Sequence, residues 1–220
     1  MKTLQKSGGF AALYLAVAYL IGMALFLVVL DYPSITDPAQ KVSLLVDKQM
    51  VVFVTNLLMY VFFGVFLVVL SLALYERMKS GAPAIMLVAT VIGIIWAGSL
   101  IASGMVSNAG IAPAVALYAK DPAQAALTWQ GIETVASGLG NGNGEILGGL
   151  WTLLVSLAGL RAGGLPKALN ILGLLVGAVG ILSIIPGLTE MLVGVFGLGQ
   201  IIWFVWLGIV LLRSNPAKTA

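Results

Sequence analysis

The chain has 220 residues, of which 60% are hydrophobic and only 9% are charged, and its mean hydropathy is +1.10. This composition offers too little polar surface to cover a water-soluble globule, so a bilayer is the expected environment. The sequence contains no cysteine and no histidine, which excludes disulfides, thiolate nucleophiles, imidazole bases and the usual zinc, copper and haem sites.

Six apolar stretches follow one another along the chain. A helix needs about 20 apolar residues to cross a hydrocarbon core of about 30 Å. The stretches that meet or nearly meet this length are approximately 9–30, 50–75, 84–106, 144–160, 168–185 and 192–212. None alternates in polarity as a barrel strand would. We therefore predict an all-α, polytopic fold, in which residues 1–220 form a single transmembrane domain of six helices arranged as three antiparallel hairpins.

Two longer connections, 31–49 and 107–143, contain the same tetrapeptide, DPAQ, at 37–40 and at 121–124. An aspartate followed by a proline is typical of a helix start, because the carboxylate accepts from free amides and proline suits the first helical position. Independent helix starts or an ancient duplication would each explain the repeat. We expect short amphipathic helices on the outer face; extensions of the second and fourth membrane helices are the alternative.

The basic residues indicate the orientation of these helices. A cytoplasmic N-terminus places eight of the eleven lysines and arginines inside, and the asymmetry of lysine and arginine in short loops sets orientation. The net charge of +3 is therefore explained by the orientation of the helices in the membrane, and we do not expect nucleic acid as a partner. The eight inner residues are Lys2, Lys6, Arg77, Lys79, Arg161, Lys167, Arg213 and Lys218.

Glu145 is the residue that best suggests a binding site. It lies among glycines in GLGNGNGEILGG and, at helical rise, about 24 Å from Arg161, which puts it just beneath the outer border of the core. At helical rise, Gln200, Asn56 and Ser99 lie at comparable distances from the cytoplasmic ends of their helices. If the four side chains converge, they line an outward-facing polar cavity for a small polar or cationic solute or a lipid headgroup. Otherwise Glu145 belongs to the outer loop, and Gln200 and Asn56 only tie helices together.

Glycines recur at intervals of four residues, which lets helix backbones approach closely in a membrane. We expect helix packing at Gly140, Gly144, Gly148, Gly173 and Gly177.

The second half resembles a large family of bacterial and archaeal integral membrane proteins known only as a domain of unknown function. The resemblance rests on EILGGLWTLLVSLAGLRAGGLPKALNILGLLVGAVGIL, residues 145–182, and on the closing IIWFVWLGIVLLR, residues 201–213. Members of the family often carry a glutamate just before the final tryptophan-containing helix segment, and Gln200 stands near that position in this chain. The resemblance implies a six-helix fold and supplies no activity.

No constellation of side chains in the sequence matches an enzyme, and we expect no catalytic residue, metal or cofactor. The leading hypothesis is an inner-membrane protein of a bacterium or archaeon, with both termini cytoplasmic, that binds a small solute or lipid in its outer half. Two other functions stay open. One is an accessory subunit that packs against a second copy or another membrane protein, and the other is a small secondary transporter.

Overall fold

Every regular element in the structure is a helix within the described residues, which are 2–140 and 144–213 of a computed structural model. This confirms the all-α prediction for that part of the chain. The elements are α1 (Lys2–Met23) with a π-helical end (Ala24–Val29), a 3-10 turn (Tyr32–Ser34), α2 (Pro38–Asn56), a π-helical segment (Leu57–Phe62), α3 (Phe63–Met78), α4 (Pro83–Tyr118), α5 (Pro122–Leu139), α6 (Ile146–Ala162), α7 (Lys167–Leu182) and α8 (Thr189–Arg213).

Four helical stretches are long and apolar enough to cross a membrane, counted over the described residues: Thr3–Val29, Pro38–Met78, Pro83–Tyr118 and Thr189–Arg213. Large apolar side chains remain exposed on them, such as Val28 at 77% and Ile202 at 59%, as expected of surfaces that face lipid. The protein is therefore a membrane protein. Helices α6 and α7 are apolar but have 17 and 16 residues, about 25 Å at helical rise, so six crossings stay a prediction.

Both DPAQ copies begin helices, as predicted. Asp37 accepts a hydrogen bond from the backbone N–H of Ala39 at 2.9 Å, and Asp121 accepts one from Gln124 at 3.0 Å. The backbone of Lys48 is non-helical, with φ −122° and ψ 22°, so two helices meet at a kink within α2, and the second continues through the π-helical segment to Met78. The first DPAQ therefore opens a helical segment that ends at this kink, and the amphipathic role expected for a helix in 31–49 stays a prediction.

The third predicted helix, 84–106, also extends further than expected. Helix α4 continues through Pro113 to Tyr118, because Ile111 and Ala114 are buried in a core with Val42 and Trp129. The second DPAQ begins a separate helix, α5, which ends at Leu139 before Gly140.

The described chain forms two compact units. The first comprises residues 2–17, 64–98 and 144–213, and the second comprises 18–63 and 99–140. The centre of the first unit is aromatic: the ring centroid of Trp151 lies 5.9 Å from that of Trp96, 5.7 Å from that of Trp203 and 6.2 Å from that of Phe204.

Helices α6 and α7 pack backbone to backbone in this first unit. A Cβ atom on Gly177 would lie 2.7 Å from the carbonyl oxygen of Gly149 and 2.7 Å from the backbone nitrogen of Leu153. Glycine is required here because the two helices leave no room for a side chain.

Candidate functional site

Glu145 is buried in the first unit, with only 4% of its surface exposed, directly before α6. The turn that precedes it has Gly144 at φ +93°, a conformation that favours glycine. The backbone N–H of Glu145 donates to the Ser183 Oγ at 2.8 Å, and this hydroxyl donates to the carbonyl of Gly180 at 2.6 Å. The start of α6 is thereby fixed to the end of α7, and the carboxylate is not in bulk water.

Gln200, on α8, is fully buried in the same unit. Its Nε2 donates to the Thr152 Oγ1 on α6 at 2.8 Å, while its Oε1 has no hydrogen-bond partner. Sequence reasoning missed Thr152, although the spacing offered a signal. Thr152 and Ser156 are four residues apart and lie on one face of α6, and Glu145 is the residue that directly precedes the helix. We call these three residues the α6 polar face.

The α6 polar face runs along α7 and α8 with several polar atoms left without partners. The hydroxyl of Ser156 is fully buried, has no hydrogen-bond partner, and faces Gly173 of α7. One turn further along α6, Gly159 faces the side chain of Asn170, whose Nδ2 donates to the carbonyl of Leu165 at 3.2 Å and whose Oδ1 is unpartnered. Unpartnered buried polar atoms cost stability, so their presence points to a ligand or to bound water.

Asn56 and Ser99, the other two predicted site residues, lie in the second unit. The Asn56 Nδ2 donates to the Asn108 Oδ1 at 2.9 Å, and the Asn108 Nδ2 donates to the carbonyl of Phe53 at 3.2 Å, just before the π-helical segment. The Ser99 hydroxyl donates to the carbonyl of Leu139. Both residues therefore bond to other helices of their own unit. The convergence of all four predicted residues stays a prediction.

The five glycines expected in helix packing all have close neighbours. A Cβ on Gly148 would lie 2.8 Å from the Trp96 ring, and one on Gly173 would lie 2.5 Å from the Trp203 Nε1. The faces of these glycines are thus occupied within the chain. The corresponding neighbours are Ser103 for Gly140, Ser183 for Gly144 and Gly149 for Gly177.

A second polar cluster, which we call the Tyr32 cluster, joins the start of α2 to α5 in the second unit. The Tyr32 hydroxyl donates to Glu133 and accepts from the Trp129 Nε1 at 3.2 Å. The Lys41 ammonium lies 3.4 Å from the Glu133 Oε2 and 4.8 Å from the centroid of the Tyr32 ring. Burial, and then the neighbouring carboxylate, raise the pKa of Tyr32 well above its usual value. No sequence signal predicts this cluster, because Tyr32 and Glu133 are 101 residues apart.

The described residues offer no group of three or more acidic, histidine or cysteine side chains that could hold a metal ion.

The comparison with known protein families identifies the family of this chain but supplies no activity. The family described as a domain of unknown function, DUF4386, matches residues 9–210. The chain belongs to the DUF4386 family. This match covers the first three helices as well as the second half of the chain. The resemblance described above rests on the second half alone. No curated protein and no solved structure matches the chain.

Proposed function

We propose that this DUF4386 protein is a non-enzymatic, six-span protein of a bacterial or archaeal inner membrane that binds a small polar or cationic solute. Glu145 is the charged anchor, and the α6 polar face with Gln200 lines the site. The single observation that carries the proposal is the burial of Glu145, which has only 4% of its surface exposed. The other polar residues of the proposed site, Thr152, Ser156 and Gln200, are fully buried. Ionisable residues inside membrane helices mark substrate or ion sites by default.

The spacing of these groups fits a small solute. Thr152 lies seven residues, or about 10 Å along the helix axis, from Glu145. A solute with a cationic end at Glu145 and a hydrogen-bonding end at Gln200 would span this distance. The free Gln200 Oε1 is an acceptor, so a hydroxyl or amide N–H of the solute suits it.

Hydrogen bonds between loops support the proposed topology. In the first unit the Arg77 Nε donates to the carbonyl of Gly164 at 2.7 Å, so two connections predicted to be cytoplasmic lie together. The Tyr32 cluster likewise joins two segments predicted to be outside. These pairings fit the proposed topology, and the lysine and arginine asymmetry favours cytoplasmic termini.

Thermal unfolding in detergent tests the proposal. Purified wild-type protein, Glu145→Gln and the control Glu190→Gln, which changes an exposed carboxylate on α8, are each heated with tetramethylammonium, ethanolamine, glycerol or phosphatidylethanolamine. A ligand at a hundred times its Kd stabilises by about 2.7 kcal/mol, which raises the Tm by about 5 to 10 °C. We expect at least one probe to raise the Tm of the wild type and of Glu190→Gln but not of Glu145→Gln.

A Tm that no probe changes in the wild type, or a shift that Glu145→Gln retains in full, would contradict solute binding at Glu145. Stabilisation by phosphatidylethanolamine alone would identify the ligand as a lipid headgroup. No stabilisation by any probe would favour the accessory-subunit alternative, in which a second copy or another membrane protein covers the exposed apolar surface.

A further inference from the structure

Arg77, near the end of α3, carries a charge that the described residues do not neutralise. Its Nε donates to the carbonyl of Gly164 at 2.7 Å, whereas its Nη1 is buried and has no hydrogen-bond partner. The adjacent carboxylate, Glu76, pairs instead with Lys79 at 2.6 Å, and neither ion pair among the described residues includes Arg77. A partly buried guanidinium without a counter-ion is costly, so an anion from outside the chain is expected there.

Helices α1 and α3 pack antiparallel in the first unit. The ring centroids of Tyr14 and Phe66 lie 4.2 Å apart, and a Cβ on Gly8 would overlap the Cβ of Ala73. Residue numbers therefore rise along α1 while they fall along α3. The last turn of α3 thus lies beside the first turn of α1.

Helix α8 packs against the same end of α1. A Cβ on Gly9 would lie 2.7 Å from the Leu212 Cγ, and a Cβ on Gly208 would lie 2.8 Å from the Leu13 Cγ. These two contacts make α8 antiparallel to α1 as well. The first turns of α1 are thus flanked by the last turns of both α3 and α8.

Basic and amide side chains lie together one helical turn beyond these contacts. Gln5 comes three residues before the glycine that faces α3, and Arg77 comes four residues after the alanine on α3, intervals that keep residues on one helix face. Lys6 comes three residues before the glycine that faces α8, and Arg213 directly follows the leucine on α8. We call Gln5, Lys6, Arg77 and Arg213 the basic cluster.

The basic cluster offers hydrogen-bond donors and positive charge. The Gln5 Nε2, like the Arg77 Nη1, is buried without a partner, and lysine and arginine side chains can only donate. Besides Glu76, the carboxylates described in the first unit are Glu145 and Glu190, which lie at the opposite ends of α6 and α8. The cluster therefore suits an acceptor that carries negative charge.

A phosphate group fits these requirements, because guanidinium groups bind phosphate oxygens with good geometry. Arg77 is only half-buried, and Lys6 and Arg213 are exposed, so a phosphate can approach from the surface and needs no internal cavity. The cluster lies at the ends of three apolar helices, which is the level of the lipid headgroups. Basic sites between membrane helices at this level bind anionic headgroups.

We infer that the basic cluster binds the phosphate of an anionic phospholipid, such as phosphatidylglycerol, in the leaflet at this end of the helices. The phosphate accepts from the Arg77 guanidinium, with the Gln5 amide as a neighbouring donor. Lys6 and Arg213 attract the headgroup from their exposed positions. This site is separate from Glu145 and does not depend on solute binding there.

Thermal unfolding of the full-length protein in maltoside micelles, with a rising mole fraction of phosphatidylglycerol, tests the inference. Phosphatidylcholine serves as the lipid without net charge, and inorganic phosphate as the free ion. The variants are Arg77→Gln, the double variant Lys6→Gln/Arg213→Gln, and the control Lys120→Gln, which removes an exposed charge in the second unit.

We expect phosphatidylglycerol to raise the Tm of the wild type and of Lys120→Gln above the value in phosphatidylcholine. Each lysine or arginine near an anionic headgroup changes the affinity about fivefold. The mole fraction that gives half of the Tm increase should therefore rise about fivefold in Arg77→Gln and about 25-fold in the double variant.

Equal Tm values in the two lipids for the wild type, or a half-maximal mole fraction that the double variant leaves unchanged, would overturn the inference. The double variant alters only exposed side chains, so it decides the question even if Arg77→Gln does not fold. Inorganic phosphate that raises the Tm as much as phosphatidylglycerol does would identify a site for a free anion and would contradict the lipid assignment.

Discussion

Replacement of Gly177 by alanine should separate α6 from α7. A Cβ at this position meets the carbonyl oxygen of Gly149 and the backbone nitrogen of Leu153, each at 2.7 Å. Both atoms belong to the backbone, so no side-chain rotation can relieve the overlap and the helices must move apart. Overpacking of this kind costs about 1 to 3 kcal/mol, and we expect a value near 3. Alanine regains about 1 kcal/mol of helix propensity, which leaves a net loss of about 2 kcal/mol.

The matched control is Gly194→Ala on α8, where a Cβ would have no atom within 4 Å. Here only the gain in helix propensity applies, about 1 kcal/mol of added stability. For a chain of this size each kcal/mol changes the Tm by about 2 to 4 °C. Thermal unfolding followed by circular dichroism in one detergent should show a fall of about 4 to 8 °C for Gly177→Ala and a small rise for Gly194→Ala. Equal Tm changes for the two variants would refute the close packing of α6 on α7.

Three further predictions concern hydrogen bonds. The raised pKa of Tyr32 means that the folded state favours the protonated phenol. The Tyr32 cluster should therefore contribute its full stability below pH 10, the ordinary pKa of tyrosine, and this stability should fall progressively as the pH rises above 10. A pH series of Tm values should show this decline in the wild type and a smaller decline in Tyr32→Phe. Thr152→Val should lower the free energy of unfolding by about 1 to 2 kcal/mol, because it leaves the buried Gln200 Nε2 without an acceptor. Denaturant titration measures this loss, and an unchanged midpoint would contradict the hydrogen bond. Asp121→Ala should cost about 1 kcal/mol by removing the cap of α5, whereas Asp121→Asn should cost less, and equal losses would argue against capping.

The helix starts could be predicted from the sequence because their causes are local. At Asp37 and Asp121 the capping carboxylate, the proline and the free amides all lie within four residues. Helix ends were less predictable. Helix α4 passes Val106 because Ile111 and Ala114 pack in the core of the second unit, and the sequence around residue 106 does not contain that information.

The candidate site was predictable in its residue types but not in its partners. The glycines and the apolar run that follows identified Glu145, but the Ser183 hydroxyl that accepts from its backbone N–H lies 38 residues further along the chain. Gln200 was identified as an intramembrane polar residue, whereas its acceptor, Thr152, lies 48 residues away.

Labelling of single cysteines in intact cells tests most directly the proposed orientation, in which the connection before α5 faces the outside of a bacterial or archaeal inner membrane and the connection between α3 and α4 faces the cytoplasm. The chain has no cysteine of its own, so Lys120→Cys, just before α5, and Ser80→Cys, between α3 and α4, each provide one exposed thiol. The account predicts that a membrane-impermeant maleimide labels Lys120→Cys in intact cells and labels Ser80→Cys only after permeabilisation. Labelling of Ser80→Cys in intact cells, with Lys120→Cys protected, would contradict it.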